Sequence, residues 1–149
     1  MKTIWFDMDG TIANLYDVQD WLPKLRAYDA SPYAEASVMH NMSLLARRLN
    51  QVQQAGYQIG IISWVSMVST PEYDAAVAEA KHAWLNSHLP SVHFDHVYIT
   101  AYGIPKQSFM TSEDDILFDD NKTIRDAWTG RSYEPCDILS VLKELIDGT

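Results

Sequence analysis

Short apolar runs that each end in a polar residue recur along this chain, and they constrain its fold more than any other feature. The runs are KTIWFD, YQIGIIS, HVYIT and DILFD. Each is apolar almost throughout, which is typical of strands buried on both faces of a parallel sheet. They predict four strands, near residues 3–7, 58–63, 96–100 and 116–119.

Helical patterns separate these predicted strands. Gly56 stands where the first helix should end, and Thr70 and Asp137 stand where the second and third should begin. Within each helix the apolar residues recur at spacings of three and four, so they share one face. They are Met42, Leu45, Leu49 and Val52; then Tyr73, Val77, Ala80 and Trp84; and last Ile138, Val141, Leu142 and Leu145.

Strands that alternate with amphipathic helices predict an α/β fold. We expect a three-layer, Rossmann-like arrangement with helices on both faces of a mostly parallel sheet. A length of 149 residues with 47% hydrophobic content predicts a single domain spanning residues 1–149. Residues 15–40 fit no strand, lack glycine and are rich in aromatic side chains, so we expect them to form a small helical cap insertion.

The charge balance excludes several classes of partner. With 11 basic and 20 acidic residues the net charge is −9, which opposes binding to a polynucleotide or an anionic membrane. No apolar run approaches the ~18 residues of a membrane span, and the first ten residues do not resemble a signal peptide. Cys136 is the only cysteine, so an intramolecular disulfide is excluded. We expect a cytoplasmic protein whose phosphorylated ligands need a local cation.

Polar side chains follow three of the predicted strands. Asp7 and Asp9 follow the first, Ser63 the second, and Asp119 and Asp120 the fourth. Ligands of open parallel sheets bind at the carboxyl ends of the strands, so these side chains should converge at one edge.

The carboxylates indicate a hard cation such as Mg²⁺, which takes oxygen ligands. An EF-hand loop counted from Asp7 fails, because Ile12 and Val18 stand where glycine and glutamate are required. A glycosidase pair is neither supported nor excluded by the spacing, and a structural pair of capping residues is a further alternative. Three carboxylates facing one Mg²⁺ and one lysine are balanced in charge, and Lys106 is the candidate lysine. A solvated surface role is the alternative for Lys106.

The order of these elements resembles the haloacid dehalogenase superfamily, and most of all its phosphatases. The resemblance covers the core and leaves out the insertion at 15–40. A short insertion together with an Asp-Asp final motif is also similar to 5'(3')-deoxyribonucleotidases and small phage or bacterial relatives. The elements that carry the resemblance are Asp7-Met8-Asp9-Gly10-Thr11, Ser63, Lys106 and Asp119-Asp120.

The resemblance implies a role for each matching residue. Asp7 would attack phosphorus and become an aspartyl-phosphate, while Asp9 would protonate the leaving oxygen and later deprotonate the attacking water. Ser63 would hold the phosphoryl oxygens and Lys106 would neutralise charge. The remaining implied residues are Gly10, Thr11 and Trp64 for the substrate, and the side chains of Asp7, Asp119 and Asp120 with the Asp9 backbone carbonyl for Mg²⁺.

The predicted function is therefore a magnesium-dependent phosphomonoester hydrolase acting on a small phosphorylated substrate, with a nucleotide as one candidate. Two alternatives are a receiver-like phospho-aspartate signalling domain and a non-catalytic binding module on the same fold. In receiver domains the phosphorylated aspartate comes later in the sheet, which disfavours the first. The intact set of implied residues argues against the second.

Aromatic and histidine side chains outside these elements permit two interpretations each. Trp21, Tyr28 and Tyr33 could stack on a nucleobase, but the core of the insertion is the favoured interpretation. Arg26 in the insertion is a candidate for contact with the substrate. Four histidines invite a zinc site, but solvated or capping roles are favoured because no cysteine lies nearby; they are His82, His88, His93 and His96.

Overall fold

In the computed structural model, which describes residues 2–148, five strands form one parallel sheet in the order β5-β4-β1-β6-β7, and β2 and β3 pair separately and antiparallel. The elements are β1 (Thr3–Phe6), β2 (Ala13–Asn14), α1 (Trp21–Arg26), α2 (Ser31–Glu35), β3 (Ser37–Val38), α3 (Met42–Gln54), β4 (Gln58–Trp64), α4 (Pro71–His88), β5 (His96–Thr100), β6 (Ile116–Phe118), α5 (Lys122–Ala127), β7 (Ser132–Tyr133) and α6 (Ile138–Asp147).

The four predicted strands are confirmed as β1, β4, β5 and β6. The edge strand β7 was not predicted, because two residues are too few to show a period. It pairs with β6 through Leu117 opposite Ser132 and Phe118 opposite Tyr133. The predicted helices are confirmed as α3, α4 and α6, and the caps on Leu44 N–H by Asn41 and on Tyr73 N–H by Thr70 fix two of their starts.

The two faces of the sheet are covered unequally, which completes the predicted three layers. Ile4, Phe6, Ile59 and Ile61 form the main core with α3, α4 and α6. The opposite face, with Trp5 and other buried apolar side chains, packs against α5 and the 3-10 turn Lys106–Phe109. Among the described helices, none is long and apolar enough to cross a membrane.

A buried carboxylate ties this second face together. Asp115 is fully buried and accepts hydrogen bonds from Thr3 N (2.8 Å), Trp5 Nε1 (3.0 Å) and Thr111 N (2.8 Å). It therefore joins β1 to the loop that precedes β6.

We expect Asp115→Ala to lower the free energy of unfolding by about 3 kcal/mol, because the buried donors Thr3 N and Trp5 Nε1 would lose their acceptor, at ~1–3 kcal/mol each, and Thr111 N would lose a partly buried one. Urea unfolding of the purified variant measures this. Asp126→Ala is the matched control, since Asp126 is 63% exposed and pairs only with Lys122 across one helix turn. Equal stability of the two variants would show that Asp115 does not stabilise this face of the sheet.

The insertion forms a small lobe over the sheet edge. The β2 and β3 strands close its base, pairing Ala13 with Val38 and Asn14 with Ser37. Within it, Leu15, Leu25 and Tyr33 pack against Val65, Tyr73 and Val77 in a second apolar cluster. The insertion is thus anchored on α4 and on the loop after β4.

The aromatic side chains of the insertion differ in burial. Tyr33 is buried in the second apolar cluster, as the core interpretation expects. Tyr28 is half exposed and its ring meets Tyr73 edge-on at 5.6 Å. Trp21 is partly buried and makes an edge contact with Tyr16 at 4.9 Å. In the described chain, the clusters of candidate metal ligands contain no histidine.

Candidate active site

The predicted acidic residues converge at the carboxyl ends of β1 and β6. Lys106 is buried and donates to Asp7 Oδ1 at 2.8 Å and to Asp119 Oδ2 at 2.7 Å. The 3-10 turn that begins at Lys106, after Pro105, delivers its ammonium to the carboxylates. Although burial by itself lowers it, the two carboxylates raise the pKa of Lys106 above its ordinary value. The alternative of a solvated surface lysine is excluded.

Three carboxylates face one another beside this lysine. Oxygen atoms of Asp7, Asp119 and Asp120 lie within 4.8 Å of one another. Desolvation of the carboxyl group and the charge of Asp7 raise the pKa of Asp120 to about 8, although the residue as a whole is exposed. Burial and Asp7 likewise raise the pKa of Asp119, against the opposing effect of Lys106. The single positive charge of Lys106 therefore does not balance the negative charge of the three carboxylates.

The cluster fits Mg²⁺ in donor type and in charge. Its donors are hard carboxylate oxygens, and the raised pKa values indicate negative charge that a divalent cation would compensate. Asp119 uses both oxygens within the protein, since Oδ2 binds Lys106 and Oδ1 accepts from Asn121 N at 2.9 Å. Asp7 is likewise held at both oxygens, by Lys106 and by Thr11, so Asp120 is the favoured candidate for direct metal contact.

Gly10 and Thr11 support the cluster from behind. The Thr11 hydroxyl is buried and donates to Asp7 Oδ2 at 2.9 Å, so Thr11 contacts Asp7 and does not line the cavity. Gly10 adopts φ +81°, and a Cβ at this position would overlap Asp120 Oδ2 and would lie 2.8 Å from the Tyr16 ring. Glycine is thus required here both by backbone conformation and by space.

We expect Gly10→Ala to weaken Mg²⁺ binding about tenfold or more, because the new methyl group displaces Asp120 Oδ2 and groups that hold a metal ligand in place typically contribute that much to metal affinity. Calorimetric titration with MgCl₂ measures this. Gly56→Ala is the matched control, since Gly56 has φ +107° and a Cβ there would meet nothing within 4 Å. Equal Mg²⁺ affinities of the two variants would exclude a role for Asp120 in holding the metal.

Asp9 makes a different ion pair from that of Asp7. Its Oδ2 accepts from Lys81 Nζ at 2.8 Å, and its side chain is 17% exposed toward the cavity. Burial raises the pKa of Asp9 above its ordinary value, although Lys81 opposes the shift. The Asp9 carboxyl group therefore lies apart from the three-carboxylate cluster and carries a proton more readily than a free aspartate.

Lys81 contacts the candidate site but was not singled out from the sequence. It is 1% exposed and its Nζ also lies 4.9 Å from the centre of the Tyr33 ring. The signal was present in α4, because Lys81 is four residues after Val77 and three before Trp84, on the stripe that faces inward. A lysine in the middle of an apolar stripe is rarely buried without a partner. Ala80, which was assigned to that face, is only partly buried.

Ser63 lies below the cavity and does not line it. Its side chain is fully buried, and its Oγ accepts from Lys81 Nζ at 2.6 Å. Ser66, three residues later, does line the cavity although the sequence did not single it out. The predicted contact of Ser63 with phosphoryl oxygens stays a prediction.

Trp64 forms a wall beside Lys106. Its indole N–H donates to the Ile104 carbonyl at 2.8 Å, and its ring meets Tyr102 edge-on at 5.1 Å. The Lys106 ammonium lies 5.4 Å from the centre of the Trp64 ring. This wall shields the ion pairs of Lys106 from water.

These residues surround a cavity of about 360 Å³. Its polar end is formed by the carboxylates, Lys106 and Asn121, and Arg26 lies in its wall. The insertion supplies further, largely apolar lining through Leu15, Tyr16, Trp21, Leu22, Leu25 and Tyr33. The cavity is therefore lined both by charged groups and by aromatic and aliphatic side chains.

No protein-family model and no curated protein matches this chain. Solved structures share its fold, and two of them are phosphatases. The D,D-heptose 1,7-bisphosphate phosphatase from Burkholderia thailandensis is 12% identical with a TM-score of 0.61, over 98% of this chain and 99% of that one. The D,D-heptose 1,7-bisphosphate phosphatase from B. bronchiseptica, complexed with magnesium and phosphate, is 13% identical with a TM-score of 0.57 over the full length of both chains. The described chain therefore has the α/β fold of these two phosphatases, a mostly parallel sheet with helices on both faces, as the sequence predicted.

Proposed function

We propose that this protein is a magnesium-dependent phosphatase that hydrolyses small phosphomonoesters through an aspartyl-phosphate on Asp7. The observation that carries the proposal is the pairing of two carboxylates with two buried lysines at one cavity, Asp7 with Lys106 and Asp9 with Lys81. Two aspartates in different environments suit two different tasks in one reaction. The shared fold with two phosphatases supports the same conclusion.

Asp7 is the nucleophile in this proposal. Lys106 and Thr11 each donate to one of its oxygens, which holds the carboxylate in one orientation and leaves lone pairs for attack. A bond forms from an Asp7 oxygen to phosphorus as the bond from phosphorus to the leaving oxygen breaks. Lys106 is placed to stabilise the negative charge around the transferred group.

Asp9 transfers the protons. Its raised pKa favours the protonated form that donates to the leaving oxygen as that oxygen departs from phosphorus. The resulting carboxylate then takes a proton from a water molecule. The water oxygen bonds to the phosphorus of the aspartyl-phosphate as the bond from phosphorus to the Asp7 oxygen breaks. Phosphate leaves, Asp7 is again a carboxylate and Asp9 is again protonated.

Asp7, Asp119 and Asp120 would hold the Mg²⁺. When bound, the metal supplies positive charge that offsets the carboxylates and the incoming phosphate. Lys106 and the Asn121 N–H orient Asp119, so that the cluster is held in place before the substrate arrives.

The substrate is small and has an apolar or aromatic leaving group. A cavity of about 360 Å³ falls in the range of small-molecule sites, and many of its lining side chains are aromatic or aliphatic. Nucleoside monophosphates have this combination of phosphate and flat ring and are our first candidates. The net charge of −9 disfavours polynucleotide ends.

The test is phosphate release from a panel of nucleoside monophosphates, sugar phosphates and an aryl phosphate, with Mg²⁺ or with chelator. Release that needs Mg²⁺ and is fastest with nucleotides would support the proposal. Release from sugar phosphates alone would show that the substrate is a sugar phosphate and not a nucleotide. No release from any compound would contradict a small-substrate phosphatase, and a long-lived acyl-phosphate without turnover would favour a receiver-like domain.

A further inference from the structure

We propose that Lys81 is a positioning residue for phosphoryl transfer, which holds Asp9 and Ser63 from beneath the cavity. The inference rests on the proposed function of Asp9 as the acid. Lys81 lies 72 residues from Asp9 in the chain and reaches it from the inner face of α4.

All three N–H groups of the Lys81 ammonium have an acceptor. Nζ lies 2.8 Å from Asp9 Oδ2, 2.6 Å from Ser63 Oγ and 2.7 Å from the Trp64 carbonyl oxygen. An ammonium has three donors, so this set leaves none for a substrate. Lys81 does not line the cavity and therefore acts through the groups it holds.

A structural requirement alone does not explain a lysine at this position. Burying an ammonium carries a large desolvation cost, and apolar residues of similar volume usually stabilise such positions as well or better. The neighbours of Lys81 on the same stripe are Val77 and Trp84, both buried. A methionine would continue that stripe, so the charge serves the groups that it contacts.

The contacts restrain the Asp9 carboxyl group in one orientation. Oδ2 is held by Lys81, whereas within residues 2–148 no hydrogen bond to Oδ1 is found. Oδ1 is thus the oxygen available to carry the transferred proton toward the cavity. The Tyr33 ring, 4.9 Å from Nζ, packs against the ammonium and limits its movement.

Lys81 also joins the acid to the loop that follows β4. Its contacts with Ser63 and the Trp64 carbonyl fix the end of this strand, and Val65, Ser66 and Met67 then line the cavity. The two buried lysines therefore have separate tasks. Lys106 holds the nucleophile, and Lys81 holds the acid together with one wall of the cavity.

Leaving-group dependence tests this role. We compare Lys81→Met with the wild-type protein on 4-nitrophenyl phosphate, whose leaving group needs little protonation, and on phenyl phosphate, whose leaving group needs more. If Lys81 positions the acid, kcat/KM, which reports the step in which the leaving group departs, should fall about tenfold more on phenyl phosphate than on 4-nitrophenyl phosphate. Lys143→Met is the matched control, because Lys143 is 59% exposed and pairs with Asp147 on the surface of α6.

A double-mutant cycle shows whether Lys81 acts through Asp9. In an Asp9→Asn background, Lys81→Met should reduce turnover of phenyl phosphate by less than about threefold, since residues that act as one unit are not additive. Equal losses of kcat/KM on the two aryl phosphates would overturn the proposal. Fully additive losses of turnover in the double variant would also overturn it. If Lys81→Met fails to fold, Lys81→Gln replaces it, because the amide retains two donors without the charge.

The wild-type reaction separates this inference from the proposed function. Magnesium-dependent turnover that Asp7→Asn removes would support the phosphatase, whatever Lys81→Met does. No release by the wild-type protein from any nucleotide, sugar phosphate or aryl phosphate of the panel would overturn the phosphatase and the role of Lys81 together. If the wild-type protein is active and Lys81→Met loses activity equally on phenyl phosphate and 4-nitrophenyl phosphate, only the role of Lys81 is overturned.

Discussion

Asp7→Asn is expected to remove turnover, by more than about 10³-fold, while the fold is retained. An amide is nearly the same shape as a carboxylate but does not attack phosphorus, so no aspartyl-phosphate can form. The amide oxygen can still accept from Thr11 or Lys106, and Lys106 keeps its ion pair with Asp119. Steady-state phosphate release measures the loss of turnover, and acid-quench trapping shows whether the acyl-phosphate still forms. Thermal unfolding of the variant shows whether the fold is retained.

Two controls make the Asp7→Asn result specific. The substitution also removes one carboxylate from the metal cluster, so activity is measured up to saturating Mg²⁺. Asp126→Asn removes the same charge at an exposed site on α5 and should leave activity unchanged. Near-wild-type turnover by Asp7→Asn at any Mg²⁺ concentration would exclude Asp7 as the nucleophile.

Asp9→Asn is expected to reduce turnover of substrates with poor leaving groups by about 10²–10⁴-fold, which is the usual contribution of a positioned acid or base. The loss should be smaller on 4-nitrophenyl phosphate during the first step, because that leaving group departs without a proton. Burst kinetics on this substrate should then show slow hydrolysis of the acyl-phosphate, since the same residue activates water.

The stability of Asp9→Asn is measured alongside its activity. Lys81 is 1% exposed and would lose its charged partner, which destabilises a protein far more than loss of an exposed pair. Thermal unfolding therefore sets the temperature at which the kinetics are run. A folded Asp9→Asn variant with full activity on phenyl phosphate would show that Asp9 is not the acid.

The two expectations assign separate steps to two aspartates that are two residues apart. Asp7 belongs to a cluster with a lysine and two further carboxylates, whereas Asp9 has its own buried lysine. In the proposed reaction, their different environments, and not their chemical type, would allow Asp7 to act as nucleophile and Asp9 as acid.

Much of the fold was predictable from the sequence for a local reason. Strands β1, β4 and β6 are buried on both faces, so their apolar runs are continuous. Strand β7 was missed because two residues carry no periodic signal and it is fixed only by pairing with β6. The β2–β3 pair was missed for the same reason.

The candidate site was predictable only in part. Motif order predicted the group formed by Asp7, Lys106 and Asp119, and the structure brings these side chains into contact. Lys81 was missed because a lysine on a helix is normally solvated. The placement of Ser63 below the cavity, and of Trp21 in its wall, depends on packing that no single segment contains.

The sequence by itself determined the elements and the set of chemical groups, because hydrophobic periodicity and the order of motifs are local properties. The tertiary structure decided how the charges are paired. Lys106 meets Asp7 across 99 residues of chain, and Lys81 meets Asp9 across 72. A buried lysine is stable only beside the carboxylates that compensate it, and folding alone brings such distant partners together.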